Sequence, residues 1–167
     1  SYLSRTADEK KGFAPIPWKG EKGNKKLASC GLAATSRDQA PFDDPTWDIW
    51  SMHMGFKLLK RVDLIFEPHD PLFAGIDTGH TGANTPVWEP QYTEALCTTE
   101  KQIMMQDHYD MFPTSVRFPI EEIRQQFGSY FTTSVGYIIA MGIRNRYEEI
   151  SLYGVEMEHE TEYVNQA

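Results

Sequence analysis

The sequence predicts one α/β domain built on a mostly parallel, doubly wound sheet of about five strands, preceded by an extended arm. Three observations predict it. Apolar runs of strand length alternate with helical or crossover segments, which is the pattern of strand–crossover–strand units. A turn of small residues follows the first run. The clearest amphipathic helix opens on three consecutive hydroxyl residues, Thr132, Thr133 and Ser134.

Taken in order, residues 1–24 carry Gly12, Pro15, Pro17, Gly20 and Gly23 with no surviving period, so they read as an extended arm and 25–167 as the domain. Phe13 and Trp18 could pin that arm to the domain or to a neighbouring chain. KLASC (26–30) is a short buried strand, WDIWSMH (47–53) a second and VDLIFEP (62–68) a third. The Pro/Asp segment DQAPFDDPT separates the first two. Residues 70–90 form a long loop rich in Gly, Thr and Pro, of a length usually reserved for function. A short helix is expected over 92–100 and a fourth strand over 101–107. FPIEEIRQQFG (118–128) reads as a helix with Pro119 in its first turn and Gly128 at its end. In 132–146, Val135, Ile138, Ile139 and Gly142 or Ile143 recur at helical spacing, with the hydroxyls as N-cap. EEISLYGVEM (148–157) is the fifth strand.

The bulk numbers narrow the function classes. The 167 residues suit one domain with a real core, and 40% apolar content is globular. The net charge of −8 is uneven: residues 1–26 carry +4 and residues 27–167 carry −12. An acidic body argues against broad nucleic-acid binding. No apolar stretch approaches the ~20 residues of a membrane span, and the first residues lack a signal-peptide core. A cytoplasmic protein is therefore expected. Cys30 and Cys97 lack a CxxC partner, so no structural disulfide is expected.

Several segments could carry chemistry. Gly31 with the small residues after it, including Ala33, lets a backbone approach a phosphate, and Thr35 and Ser36 add hydroxyls. The segment matches neither the dinucleotide nor the P-loop pattern, so an ordinary turn is the competing reading. Thr132, Thr133 and Ser134 at a helix start could hold an anion, or simply cap. FEPHD ends the third strand with Glu67, His69 and Asp70, and His53 ends the second. Histidine beside a carboxylate suits general acid–base work, and polar strand ends also merely solvate an edge. His53, His69, Asp70, His80, Asp107 and His108 lack any known metal-ligand spacing, so no metal is expected. Glu156 ends the fifth strand, where an acid can bond a ribose hydroxyl.

Read together, GLAATSR, APFDDPTWDIWSMHMGF, VDLIFEPHD, YFTTSVGYIIAMGI and YEEISLYGVEMEHETEY resemble a group of small phage-encoded Rossmann-like proteins. More distantly they are similar to bacterial sialyltransferases of the lipooligosaccharide type and to pterin pyrophosphokinase-like and motility accessory proteins. The resemblance spans residues 25–166. It implies a pocket for a nucleotide or nucleotide sugar at the carboxyl edge of the sheet, which Mg²⁺ could accompany. By position it implies Gly31, Ala33, Thr35 and Ser36 at the phosphate, Thr132, Thr133 and Ser134 facing the nucleotide, and Glu156 as the acidic partner. Glu67 and His69 match the group's Phe-Glu-x-His segment, and with His53 they are the expected residues of acid–base chemistry. Ala34 replaces the group's turn proline, and His53 stands where relatives carry an asparagine that helps bind the nucleotide sugar. Relatives often continue beyond the position of Gln166, so less wall around a pocket is expected.

The implied function is a glycosyl- or nucleotidyl-transferase-like protein. The alternatives are a counter-defence protein that binds a nucleotide signal without turnover, and a virion or assembly component. The expected partners are a nucleotide-type small molecule and, through residues 1–24, a second copy or a virion protein. The host cytoplasm or the virion is the expected location.

Overall fold

A computed structural model describes residues 23–69, 71, 90–129, 131 and 133–155. Most of the arm and of the 70–90 loop, Asp70, His80, Thr132 and Glu156 lie outside the described residues. Six strands form one sheet: β1 (Lys26–Cys30), β2 (Trp47–Met52), β3 (Leu64–Phe66), β4 (Gln102–Met105), β5 (Ser115–Arg117) and β6 (Glu149–Tyr153). Their order is β5-β4-β3-β2-β1-β6, and every adjacent pair is parallel. All six carboxyl ends therefore share one edge. The helices are α1 (Ala34–Arg37), α2 (Pro90–Thr98), α3 (Ile120–Phe127) and α4 (Ser134–Arg144), with a 3-10 turn over His53–Lys57.

The expected α/β class and parallel sheet are what the chain forms, with one more strand than expected. β5 is three residues long, and residues 106–114 cross from β4 without a helix. That connection is short for a parallel crossover. Tyr109 and Phe112 pack within it, with ring centroids 6.4 Å apart. β1 is not central; it lies beside the edge strand β6. Pro119 sits at the N-cap of α3 rather than in its first turn, and Gly128, at φ +86°, ends the helix as expected. Thr133 caps α4, accepting from the Gly136 amide at 3.3 Å.

Strand alternation divides the core. Leu27, Trp50, Leu64, Phe66 and Met104 face α3 and α4, packing with Ile123, Ile138 and Met141. Ile65, Ile103 and Met105 face the other way, onto Tyr92 and Leu96 of α2. A third cluster joins Ala28, Cys30 and Ile49 to Phe42. Such two-sided burial explains why the strands read as near-continuous apolar runs. Asp48, buried in β2, accepts from Asn24 at 2.9 Å and from the Tyr147 hydroxyl. Cys30 and Cys97 are both free. Among the described residues no helix is long and apolar enough to cross a membrane.

Topology puts the reversal of strand order between β1 and β6, where open α/β sheets usually leave a ligand crevice. Here the two strand ends close on each other. Gly31 donates to the Tyr153 carbonyl at 2.8 Å and Ala33 to the Gly154 carbonyl at 2.9 Å. The Gly154 amide donates to the Ser36 hydroxyl at 2.8 Å. A Cβ on Gly31 would lie 2.4 Å from the Gly154 carbonyl oxygen, a backbone atom that cannot swing aside. Gly31→Ala is therefore expected to cost about 3 kcal/mol in urea unfolding. Gly55→Ala is the control, because its nearest neighbour would be 3.7 Å away. Equal stabilities for the two variants would refute the close splice.

Candidate functional site

The carboxyl ends of β2 and β3 gather the chemistry. β2 delivers His53, the first residue of the 3-10 turn, at φ +47°. That left-handed conformation is uncommon outside glycine and stores about 1 kcal/mol or more. β3 delivers Glu67. The strand alternation that turns Ile65 toward α2 carries Glu67 to the same side, where its side chain is fully buried. Pro68 then redirects the chain, and His69 folds back over the carboxylate.

Three side chains converge on Glu67. His69 Nδ1 lies 2.6 Å from Oε1, and the His69 backbone amide donates to the same oxygen at 3.0 Å. His53 Nδ1 hydrogen-bonds Oε2, and the Tyr92 hydroxyl donates to that oxygen as well. The two imidazole rings stack edge to face at 4.8 Å, and the His53 ring lies 5.1 Å from Tyr92. His69 is the more open of the two, its side chain 40% exposed against 17% for His53.

The electrostatics follow from this packing. Burial alone would raise Glu67. The hydrogen bonds from His53 and His69, the His53 charge and the Tyr92 hydroxyl outweigh it and hold the carboxyl down at about 2. Burial, with the neighbouring Glu67 charge, pushes the Tyr92 phenol well above its ordinary value, so it remains a donor. Glu67 is thus an ionised acceptor that fixes the orientation of two imidazoles. An imidazole bonded through Nδ1–H to a carboxylate presents Nε2 as its basic nitrogen. For His69, at the surface, that nitrogen is the one suited to a substrate.

His53, Glu67 and His69 are also a donor set that transition metals accept, with ligand atoms within 4.8 Å of one another. Two ligand atoms on one tetrahedral zinc would stand about 3.4 Å apart, given bonds of about 2.1 Å. The 2.6 Å contact between His69 Nδ1 and Glu67 is shorter and is a direct hydrogen bond. In this arrangement the carboxylate serves the imidazoles.

The other candidates are placed as follows. Gly31, Ala33 and Ser36 form the β1–β6 splice, the amides of the first two donating to Tyr153 and Gly154 and the Ser36 hydroxyl accepting from Gly154. Thr35 lies in the single-turn helix α1. Thr133 and Ser134 form the start of α4. His108 does not join the cluster; its Nδ1 lies 2.8 Å from the Ser115 carbonyl oxygen. The sequence reading missed Tyr92. It sits four residues before Leu96 on the apolar face of α2, and nothing in that spacing marks it as polar in role.

A cavity of about 210 Å³ opens on the opposite face of the sheet. Phe66 and Pro68, the neighbours of Glu67, help line it, together with Tyr137 from the first turn of α4. It therefore links the end of β3 to the hydroxyl-capped helix. Comparison with family models, characterised proteins and solved structures finds no match.

Proposed function

We propose that the chain handles a nucleotide or nucleotide sugar at the carboxyl edge of its sheet, as a glycosyl- or nucleotidyl-transferase-like enzyme. One observation carries this reading: a half-exposed histidine at that edge is held by a buried, ionised carboxylate. Such a pair is a general base with its tautomer set in advance. In the proposed step, His69 Nε2 takes the proton of an acceptor hydroxyl. The hydroxyl oxygen bonds to the anomeric carbon or the α-phosphorus of the donor. The bond from that atom to the leaving phosphate oxygen breaks, and the leaving group departs with the electron pair. Glu67 stabilises the imidazolium, which then releases its proton to solvent.

The resemblance to nucleotide-sugar enzymes supports the substrate class. Ser134, at the exposed start of α4, is the proposed phosphate end, because a helix start favours an anion. The Gly31 turn is proposed to shape the floor rather than to donate, since the amides of Gly31 and Ala33 are already bonded.

The test is a thermal-shift and calorimetric screen of nucleotides and nucleotide sugars, with and without Mg²⁺. A ligand at a hundred times its Kd should raise stability by about 2.7 kcal/mol. For a chain of this size that is a rise in Tm of about 5–10 °C. No shift with any nucleotide would overturn the reading. A tight complex whose ligand is recovered unchanged would reduce it to binding without turnover.

A further inference from the structure

The cavity across the sheet from His69 differs in chemistry from the histidine cluster. Phe66 and Met104 form its floor, and Phe118 and Tyr137 its aromatic wall. Phe66 and Phe118 meet edge to face at 5.5 Å, and Phe118 and Tyr137 at 5.7 Å. Two polar groups interrupt this apolar surface. Gln106 gives its amide N–H to the Pro68 carbonyl at 2.8 Å, and its side-chain oxygen is an acceptor. Arg124, exposed on α3, makes no ion pair with any of the described residues.

We propose that this cavity binds a planar aromatic ring that carries an anionic group, with the ring against Phe118 and Tyr137 and the anion on Arg124. The volume suits it. An apolar cavity of about 150 Å³ holds benzene, so about 210 Å³ accommodates a ring of nucleobase size. Edge-to-face aromatic walls present π faces and ring hydrogens to a flat guest. A guanidinium at the cavity makes bidentate contact with a carboxylate or phosphate. The Gln106 oxygen can accept from a ring amine or imide N–H. In the reading given above, on which this identification of the guest as the base and a phosphate of a nucleotide rests, the cavity is the base subsite, and of a diphosphate donor one phosphate meets Arg124 and the other Ser134.

Methionine methyl NMR tests it directly. The chain has seven methionines; the Met104 side chain faces the cavity, whereas Met105 faces α2 and Met111 is 54% exposed on the β4–β5 crossover. The probes are the four common ribonucleoside monophosphates and phenyl phosphate. A ring in the cavity should shift the Met104 methyl and spare Met111. Arg124→Gln, a change on an exposed helix face, should weaken that binding about tenfold. If phenyl phosphate gives this shift and no nucleotide does, the cavity assignment stands and the nucleotide reading fails. If nucleotides bind but leave the Met104 methyl unmoved, or bind equally well to Arg124→Gln, the cavity assignment is overturned while the nucleotide reading stands. If no probe shifts the Met104 methyl, the cavity assignment is overturned.

Discussion

Glu67→Ala is expected to lower stability by about 3–5 kcal/mol, because it removes the shared acceptor of a buried cluster. Tyr92 and His53 would keep their donors, but the carboxylate oxygen that both use would be gone. For a chain of this length the loss is a fall in Tm of about 10 °C. Glu67→Gln keeps the shape and one acceptor oxygen, so it should lose less. The two variants also predict a pH signature. The carboxyl ordinarily titrates near 4.5 and is held at about 2 in the folded chain. A depressed folded value means that the stabilisation is complete above about pH 4.5 and disappears as pH falls toward 2. Urea unfolding across that window should steepen in the wild type and flatten in Glu67→Gln. A Glu67→Ala protein within 1 kcal/mol of wild type would contradict the cluster as the organiser of this edge.

His69→Ala is expected to lower turnover by about 10²–10⁴-fold, the usual contribution of a positioned general base. Its side chain is 40% exposed and packs little, so the fold should stay within about 1 kcal/mol of wild type. These opposite signatures would separate the two proposed roles, Glu67 as organiser and His69 as proton carrier. Activity in His69→Ala equal to wild type would remove His69 from the chemistry.

Much of the fold was legible because buried parallel strands and an amphipathic helix leave strong local signals. KLASC and WDIWSM are mostly apolar and buried almost throughout, and β1 and β2 occupy them with hardly a shift. SVR was not legible: three residues, one of them a buried arginine paired with Glu121, carry no pattern. β6 was legible although it is only partly buried, because Ile150 and Leu152 alternate with polar residues. In the candidate site, FEPHD marked Glu67 and His69 by chemistry. Their junction with His53 depends on β2 and β3 being parallel neighbours, which a linear reading could only assume. Tyr92 was hidden because its ring belongs to the core and only its oxygen belongs to the site. The cavity was hidden too. Phe66, Phe118 and Tyr137 lie far apart in the sequence, and only the fold brings them around one space.

The Gly31 turn is the instructive case. Its residues suit a phosphate, and the same smallness suits a close passage of two strands. The 2.4 Å approach to the Gly154 carbonyl accounts for Gly31 with no ligand at all. Glycine after a strand is therefore ambiguous in sequence, and backbone hydrogen bonds distinguish the two uses.

In the proposed function, Glu67 holds His69 with its proton on Nδ1 and its Nε2 directed to a nucleotide-type substrate. Long-range ¹H–¹⁵N correlation of the histidine side chains measures this directly. Neutral His69 is expected to be the Nδ1–H tautomer, Glu67→Gln to weaken this preference, and an added nucleotide or nucleotide sugar to shift the His69 Nε2 resonance. A neutral His69 protonated on Nε2, or an Nε2 resonance unmoved by every such ligand, would contradict it.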